Sequence, residues 1–381
     1  MQIIGILAFV VALLFSVMVH EFGHYLTARH YGMKVSEFFL GFGKRLWSTQ
    51  RGETEFGIKA IPAGGYCRIE GMAPNDEMPA GEESRAFYKA SSGKKLVVLG
   101  AGSFLHFVLG YLLLFTLFAG VGTNQVLPVI GEVVKDSAAA SAGIKAGDEV
   151  ISINGVAVKN WYKDVEAIRN SGGKDLVLGL KRDGEKITIT ATPQLTEVDG
   201  ASRYVLGIIN TIGIKRSGVV QSASYAFTAT KSFITESAKS LVALPSKIPA
   251  LWGQTVRGEE RDANGLVGVV GVARVSGQAV GDAQLSISER AATFILIVAS
   301  LNIFVGLFNL LPILPLDGGH MAVAIADEVR AVFARIRKRP RPAAIDVTVL
   351  TPITMVVFVI LASLTLLLLV ADVINPVTLN L

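Results

Sequence analysis

Long apolar stretches separated by polar loops are the main feature of this chain. Four of them are long enough to cross the hydrocarbon core of a bilayer, which takes about 20 residues of helix. They lie at 3–25, 96–121, 291–311 and 351–370. The pattern predicts a polytopic α-helical membrane protein with four transmembrane helices. A cleaved signal peptide is the alternative for the first stretch, which lacks a basic leader and a small-x-small cleavage site.

Composition agrees with this class of protein. Of the 381 residues, 51% are hydrophobic and only 18% are charged, a balance typical of membrane proteins. The single cysteine, Cys67, excludes an intramolecular disulfide and a cysteine-rich metal cluster. Any zinc ion must therefore be held by histidines and carboxylates.

The two shorter loops, 29–95 and 330–341, are rich in Lys and Arg, and the tail after Asp372 has none. Lys and Arg in short loops stay on the cytoplasmic side, so both loops are predicted to be cytoplasmic. Both termini and the long loop 122–290 are then extracytoplasmic, in a bacterial inner (plasma) membrane. The two loops explain the formal charge of +5 without nucleic acid as a partner.

The first apolar stretch ends in MVHEFGH, where three ionisable residues follow a charge-free run. Such groups are costly at membrane depth, which favours a functional site over unpaired polar groups at a helix end. His20 and His24 are one helical turn apart and share a face. Two imidazoles with an adjacent glutamate, Glu21, are typical of zinc metalloproteases, in which the glutamate is the general base.

A third zinc ligand is expected, because a catalytic zinc combines three protein ligands with an open position. The segment NLLPILPLDGGH, 309–320, is the comparable polar interruption of an apolar stretch. It lies on the same side of the bilayer as HEFGH, because the first and third stretches run in the same direction. Its prolines and paired glycines allow a sharp turn, so Asp317 can reach the zinc. Capping the following helix is the alternative role of Asp317.

These motifs carry a resemblance to a known family. HEFGH, with N-x-x-P and L-D-G-G in the third stretch, resembles the site-2 protease family of intramembrane zinc metalloproteases, peptidase family M50. The closing LVADVINPVTLNL is most similar to its actinobacterial branch. The resemblance implies Zn²⁺ bound by His20, His24 and Asp317, with Glu21 as the catalytic base. It also implies that Asn309 holds the substrate backbone; an interhelical hydrogen bond is the alternative.

The family also suggests how a substrate is presented. Strand-like stretches flank 62–65, which predicts a membrane-associated β-hairpin over 57–72. In the family a sheet dips into the membrane near the metal and pairs with the unwound substrate. The resemblance therefore assigns substrate binding to Gly64, Gly65 and Tyr66. A plain cytoplasmic hairpin is the alternative.

The second apolar stretch departs from the family pattern. Where G-P-x-x-N is common in the family, this chain has GAGSFLH, 100–106. We therefore expect Ser103 and His106 to serve core packing rather than the metal site.

The extracytoplasmic loop contains SAAASAGIKAGDEVISINGVAVKNW. Gly143, Gly147 and Gly155 are predicted at turns, and Val150 and Ile153 in a strand. The pattern resembles a bacterial PDZ domain over 128–193. The family implies a gate that admits only substrates whose bulky ectodomain has been removed; a spacer without a ligand is the alternative.

Four parts of the chain follow from these assignments. They are an N-terminal membrane part with the hairpin region (1–127), the PDZ domain (128–193), an extracytoplasmic linker and membrane-surface segment (194–290), and a C-terminal membrane part (291–381). The predicted function is hydrolysis of a peptide bond in or near the transmembrane segment of a pre-trimmed single-pass protein. By resemblance, membrane-anchored anti-sigma factors and remnant signal peptides are candidate substrates.

Two other classes of function remain as alternatives. One is a membrane scaffold in which the PDZ domain binds partners and the metal is structural. The other is a metal or proton transporter, which is disfavoured by the presence of only four apolar stretches and no two matching halves with broken helices.

Overall fold

The computed structural model describes residues 1–74, 76–159, 161–198, 201–262 and 265–377. Two compact units are present. The membrane unit combines Met1–Val121 with Ser217–Leu381, and the β unit is Gly122–Arg216.

Ten α-helices are found in the described residues. They are α1 (Gln2–His30), α2 (Ser92–Thr116), α3 (Ala138–Ser141), α4 (Trp161–Asp164), α5 (Glu166–Arg169), α6 (Val219–Val256), α7 (Val269–Gly281), α8 (Ile287–Asn309), α9 (Asp317–Ile336) and α10 (Thr351–Ile374).

In the described part of the chain, four helical segments are long and apolar enough to cross a membrane. They are Gln2–His30, Ser92–Val121, Ile287–Asn309 and Val347–Ile374. A helix satisfies its backbone hydrogen bonds internally, as a chain in lipid must. The four apolar helices predicted from the sequence are thereby confirmed.

Small residues let these helices approach closely. A Cβ added at Gly23 of α1 would lie 2.6 Å from the carbonyl oxygen of Ala101 on α2. One added at Gly110 of α2 would lie 2.7 Å from Ile303 on α8. Helices in lipid gain little from burying apolar surface, so van der Waals contact at small residues holds them together. In this way α2 packs against both α1 and α8.

An antiparallel sheet lies between α1 and α2 in the chain. Its strands are β1 (Val35–Arg51) and β2 (Thr54–Ile69). Both strands bend, so the first part of β1 pairs with both ends of β2. Phe39, for example, lies opposite Gly57 on one side and opposite Tyr66 on the other.

This pairing corrects the hairpin predicted over 57–72. The two halves of β2 flank β1 instead of pairing with each other. The chain crosses over near Gly41, where φ is +88° and a Cβ would lie 2.7 Å from the carbonyl oxygen of Ile61. The alternation of polar and apolar residues indicates which segments can form strands. The strand with which each one pairs depends on tertiary packing. Segment 65–69 is left as an edge of the sheet, paired on one side within the described residues.

A compact turn joins α8 to α9. A Cβ at Gly318 would lie 2.3 Å from the carbonyl carbon of Leu310, and one at Gly319 would lie 2.5 Å from the backbone nitrogen of Leu314. Only glycine fits such close backbone approach. The turn therefore brings the start of α9 back against the end of α8.

The end of α10 is held by a buried ion pair. The Arg261 guanidinium lies 3.3 Å from the Asp372 carboxylate, and both side chains are almost fully buried. The backbone N–H of Gly271, in the first turn of α7, donates to Asp372 over 2.8 Å. Asp372 thus ties α10 to α7 and to the segment before it.

The β unit is built on one antiparallel sheet whose strands differ in length. Its strands are β3 (Thr123–Val133), β4 (Glu149–Ile153), β5 (Val156–Ala157), β6 (Leu176–Arg182), β7 (Glu185–Ala191) and β10 (Ile208–Lys215), in the order β10-β3-β4-β6-β7 with β5 on β4. A separate hairpin pairs β8 (Gln194–Val198) with β9 (Ala201–Val205). The core contains Ile130, Trp161, Ile168, Leu178 and Leu180.

The boundaries of the β unit differ from the predicted range 128–193. The unit starts at Gly122 and ends at Arg216, because β10 returns to pair with β3. The predicted turn glycines Gly143, Gly147 and Gly155 have φ values of +77°, +91° and +79°. These are conformations that glycine adopts without a steric penalty.

Candidate metal centre

Three side chains converge where α1 meets the start of α9. His20 Nε2 and His24 Nε2 are 3.1 Å apart. Asp317 Oδ2 lies 3.1 Å from His20 Nε2 and 3.3 Å from His24 Nε2. Both histidines are buried, and Asp317 is largely buried. The structure thus brings together the three residues that the sequence predicted as ligands.

A hydrogen bond selects the nitrogen that His24 offers to this cluster. His24 Nδ1 lies 2.8 Å from the carbonyl oxygen of Val98 on α2. A carbonyl only accepts, so Nδ1 carries the proton and Nε2 keeps its lone pair. Such a second hydrogen bond is usual for a metal-bound histidine, because it sets the tautomer and the ring orientation.

The donor set fits a small divalent cation. Ligand atoms bound tetrahedrally to zinc at about 2.0–2.1 Å are about 3.3 Å apart, close to the three separations observed here. None of the described residues donates a hydrogen bond to Asp317 Oδ2, although this atom is buried. A carboxylate oxygen facing an imidazole lone pair is repulsive without a cation between them. Two nitrogens and one oxygen suit zinc, whose remaining position stays open.

Helix α2 makes room for the first histidine. A Cβ at Gly102 would lie 2.6–2.7 Å from the His20 ring. Val98 and Gly102 are one turn apart on α2, as His20 and His24 are on α1. One turn of α2 therefore supports both imidazoles.

Asp317 is placed by the turn before α9 and not by helix capping. The N-cap residue of α9 is Leu316, and the helix has no side-chain cap hydrogen bond. Asp317 occupies the first turn, where the helix dipole favours a negative charge. The alternative role as a capping side chain is not observed.

Glu21 lies beside the edge segment of the sheet. A Cβ at Gly65 would lie 3.4 Å from Glu21 Cγ and 2.9 Å from Met18 Sδ. The Glu21 carboxylate is near the backbone amide of Cys67. The absence of a side chain at Gly65 thus allows the sheet backbone to approach Glu21.

Gly64 and Tyr66, the two neighbours of Gly65, are constrained in different ways. Gly64 has a φ of +145°, which favours glycine. The Tyr66 hydroxyl is hydrogen-bonded to Glu37 and Lys59, and its ring stacks on Phe39 at 5.9 Å between centroids. Binding of a substrate at Tyr66 would therefore involve its backbone.

Cys67 is no competitor for the metal. Burial, with a smaller contribution from the negative charge of Glu21, raises the pKa of the Cys67 thiol above its usual range. Its sulfur is not among the ligand atoms that converge at the candidate metal centre.

Asn309 is the last residue of α8 and is half-buried. No hydrogen bond to its side chain is found within the described residues. The interhelical hydrogen bond considered as its alternative role is thus absent there.

The sequence did not predict a buried polar chain behind His20. The His106 ring on α2 lies 5.0 Å from the His20 ring, between centroids. His106 Nδ1 is 2.9 Å from Asn302 Oδ1 on α8, and the Asn302 amide donates to Ser16 Oγ over 3.1 Å. The only signal in the sequence was the presence of polar residues within three apolar stretches, which does not show that they contact one another. Ser103, also buried, has no hydrogen-bond partner for its hydroxyl among the described residues.

Comparison with known proteins identifies a family and relatives to which this chain is similar. The model of Peptidase family M50 matches residues 8–361. Zinc metalloprotease Rip1 of Mycobacterium tuberculosis H37Rv is 34% identical over 414 residues, which cover 100% of this chain and 99% of that protein.

Two further relatives are similar over much of their length. Zinc metalloprotease Rip1 of Mycolicibacterium smegmatis is 35% identical over 409 residues, 98% of each chain. A putative zinc metalloprotease of Helicobacter pylori is 32% identical over 327 residues, 82% of this chain and 87% of that protein.

Proposed function

Because this chain belongs to peptidase family M50 and is a zinc metalloprotease, we propose that it hydrolyses a peptide bond within or near the transmembrane segment of single-pass membrane proteins. Family membership, zinc as the cofactor and protease activity, all expected from the motifs, are confirmed. The observation that carries the finer proposal is the convergence of His20, His24 and Asp317 on one point at the end of apolar helix α1.

We assign the metal to these three side chains and the proton transfer to Glu21. When bound, zinc supplies Lewis acidity and makes water acidic enough to react at neutral pH. Glu21 follows His20 directly on α1 and takes the proton from the attacking water. It later returns this proton to the leaving amine. Glu21 thus acts as base and then as acid.

The edge segment 65–69 is proposed to receive the substrate. Peptide groups of a helix are occupied by internal hydrogen bonds, so the helix must unwind before hydrolysis. An open strand edge offers replacement partners to an unwound segment. The position of Gly65 beside Glu21 supports this role, because a strand added here would run past the base.

Asn309 is proposed to hold the substrate backbone. Its side-chain amide is without a hydrogen bond among the described residues, and it can both donate and accept. The turn that packs Gly318 against Leu310 keeps the end of α8 close to the start of α9. This supports a place for Asn309 near Asp317.

We further propose that the β unit is an extracytoplasmic PDZ domain that filters substrates by size. Its six-stranded sheet, short helices and glycine turns support this identification. The basic loops 29–95 and 330–341 support a cytoplasmic position for the metal centre. Candidate substrates are membrane-anchored anti-sigma factors trimmed outside the membrane, and remnant signal peptides.

The proposal is tested by mapping new chain termini in membranes of cells that produce the wild type or Glu21→Gln. We expect termini inside apolar spans of single-pass proteins with the wild type only. Glu132→Gln, at an exposed position of β3, is the matched control and should behave as the wild type. Equal termini with Glu21→Gln, or termini confined to soluble segments, would contradict the proposal.

A further inference from the structure

Helix α9 carries a stripe of large apolar side chains that no other described part of the chain covers. Its members follow helical spacing of four, three, one and three residues and are 41–70% exposed: Ile325, Val329, Val332, Phe333 and Ile336. At 100° per residue these positions share one face of the helix. We define them as the α9 stripe.

The α9 stripe is separate from the face that packs in the membrane unit. The packed face contains the buried Ala324 and Ala331 and lies against α2. On the same side Glu328 accepts a hydrogen bond from Ser92 over 3.0 Å. Val329 is five positions after Ala324, which places the stripe about 140° around the helix from the packed face. The helix therefore packs against α2 on one face, and the stripe is a second apolar face that has no partner among the described residues.

Cations adjoin the stripe at the C-terminal end of α9. Four exposed residues have no ion pair among the described residues: Arg335, Arg337, Lys338 and Arg339. Two other cations nearby are paired, Arg330 with Asp327 at 3.3 Å and Arg341 with Glu328 at 3.0 Å. Unpaired cations beside an apolar stripe complement a surface that is apolar within and negative at its boundary.

The position of α9 in the chain places it at such a surface. Only residues 310–316 separate it from α8, and residues 337–346 lead to the last apolar segment, Val347–Ile374. Chain that leaves one membrane span and enters the next stays close to one face of the bilayer. The stripe therefore lies within a short length of chain from two membrane spans.

We propose that α9 lies in the interface of an anionic lipid bilayer. The α9 stripe rests at the boundary of the acyl chains, and the cations at 335–339 contact lipid phosphates. Long basic side chains reach headgroups while their stems cover apolar surface. Anionic lipid attracts such residues over about a Debye length. Because α9 begins with Asp317, this contact also sets the membrane depth of one arm of the metal centre.

The test is to measure the membrane depth of α9 in the full-length protein. Single cysteines at Val329 or Phe333, in a Cys67→Ala background, carry a spin label after reconstitution into vesicles. Arg330→Cys on the polar side of the same helix is the matched control. Accessibility to oxygen, which concentrates in lipid, is compared with accessibility to a water-soluble nickel complex. Vesicles contain phosphatidylcholine alone or phosphatidylcholine with phosphatidylglycerol.

We expect higher oxygen than nickel accessibility at Val329 and Phe333, and the opposite at Arg330. Phosphatidylglycerol should shift the two stripe positions deeper. Nickel accessibility at the stripe equal to that at Arg330 would overturn the proposal. Dipolar broadening between labels, which indicates a second copy, would also overturn it, as would protection from both reagents.

A second variant separates the charges from the stripe. Changing Arg335, Arg337, Lys338 and Arg339 together to Gln should abolish the shift caused by phosphatidylglycerol and leave the depth in phosphatidylcholine unchanged. A shift that survives would overturn the role of the cations. Zinc content, measured on every variant, verifies folding. The depth measurement needs no substrate, so its failure is distinct from a failure of the proposed proteolysis.

Discussion

His24 Nδ1 lies 2.8 Å from the carbonyl oxygen of Val98, so α2 determines which nitrogen of His24 faces Asp317. Gly102, one turn further along α2, leaves the space that the His20 ring occupies. The candidate metal centre therefore depends on α1, α2 and α9, even though α2 supplies none of the three converging side chains. Changes on α2 that alter its distance from α1 should act on metal affinity.

The first prediction concerns this space. In Gly102→Ala the new Cβ would overlap the His20 ring at 2.6–2.7 Å. The ring must turn or α2 must retreat, and we expect zinc affinity to fall about 10–100-fold, as for loss of a supporting contact. Gly100→Ala is the matched control, because its Cβ meets only Met321 at 3.8 Å. Titration with a competing chelator measures the difference; equal affinities would contradict the prediction.

The second prediction separates the sheet from the metal. In Gly65→Val the branched side chain would meet Met18 Sδ and Glu21 Cγ, which lie 2.9 and 3.4 Å from a Cβ. We expect cleavage to fall at least about tenfold, which is about 1.4 kcal/mol of transition-state stabilisation, with zinc content unchanged. Gly93→Val, whose Cβ meets nothing within 4 Å, should cleave normally. Loss of zinc in Gly65→Val would refute this separation.

The third prediction concerns pH and the β unit. Arg182 donates to both oxygens of Asp148 over 2.7 Å, and the Lys145 N–H donates over 2.9 Å. The hydrogen bonds from Arg182, with that from Lys145, lower the pKa of Asp148 in the folded state. Stability from this group is then present above the unfolded pKa of about 3.9, and is lost as pH falls through the lower folded pKa.

Trp161 fluorescence measures this in the full chain, after Trp47 and Trp252 are changed to Phe. The urea midpoint of Asp148→Asn should lie below that of the parent at neutral pH. The difference in urea midpoint should narrow below about pH 4, because the unfolded parent then takes up a proton at Asp148 and the folded parent does so only at lower pH. A gap independent of pH would show that the carboxylate charge contributes nothing.

The fourth prediction concerns the end of α10. Removing one partner of a buried ion pair leaves the other charge uncompensated, which costs about 3–5 kcal/mol. Asp372→Ala leaves Arg261 and the N–H of Gly271 in this state, so we expect a lower thermal unfolding temperature in detergent. Glu260→Ala, an exposed carboxylate in the same region, should be close to the wild type. An unchanged temperature for Asp372→Ala would contradict the prediction.

Local rules were sufficient to predict which residues converge at the candidate metal centre. His20 and His24 are one helical turn apart, and ionisable residues in apolar stretches are too costly to lack a function. The prediction that Asp317 joins the two histidines required one further step. It relied on the first and third spans crossing the bilayer in the same direction. Each of these inferences uses spacing within one segment or the orientation of a span, both of which the sequence displays.

The pairing of strands that are distant in sequence could not be predicted in this way. Phe39 pairs with both halves of β2, and β10 returns to β3 from across the β unit. Strand periodicity is the same whichever partner is chosen, so the sequence predicted strands but not their register. The chain from His106 to Asn302 was missed for a related reason, because polar residues on different helices show no spacing that links them.

The most direct test of the metal assignment is the zinc content of the purified, folded protein. We predict about one zinc per chain in the wild type and in Glu21→Gln, since we assign Glu21 as the base and not as a ligand. Asp327→Ala, a control on the same helix as Asp317, should also keep its zinc. Little zinc should remain in His24→Ala or Asp317→Ala. Full zinc in Asp317→Ala would contradict the assignment of α9 as the source of the third ligand.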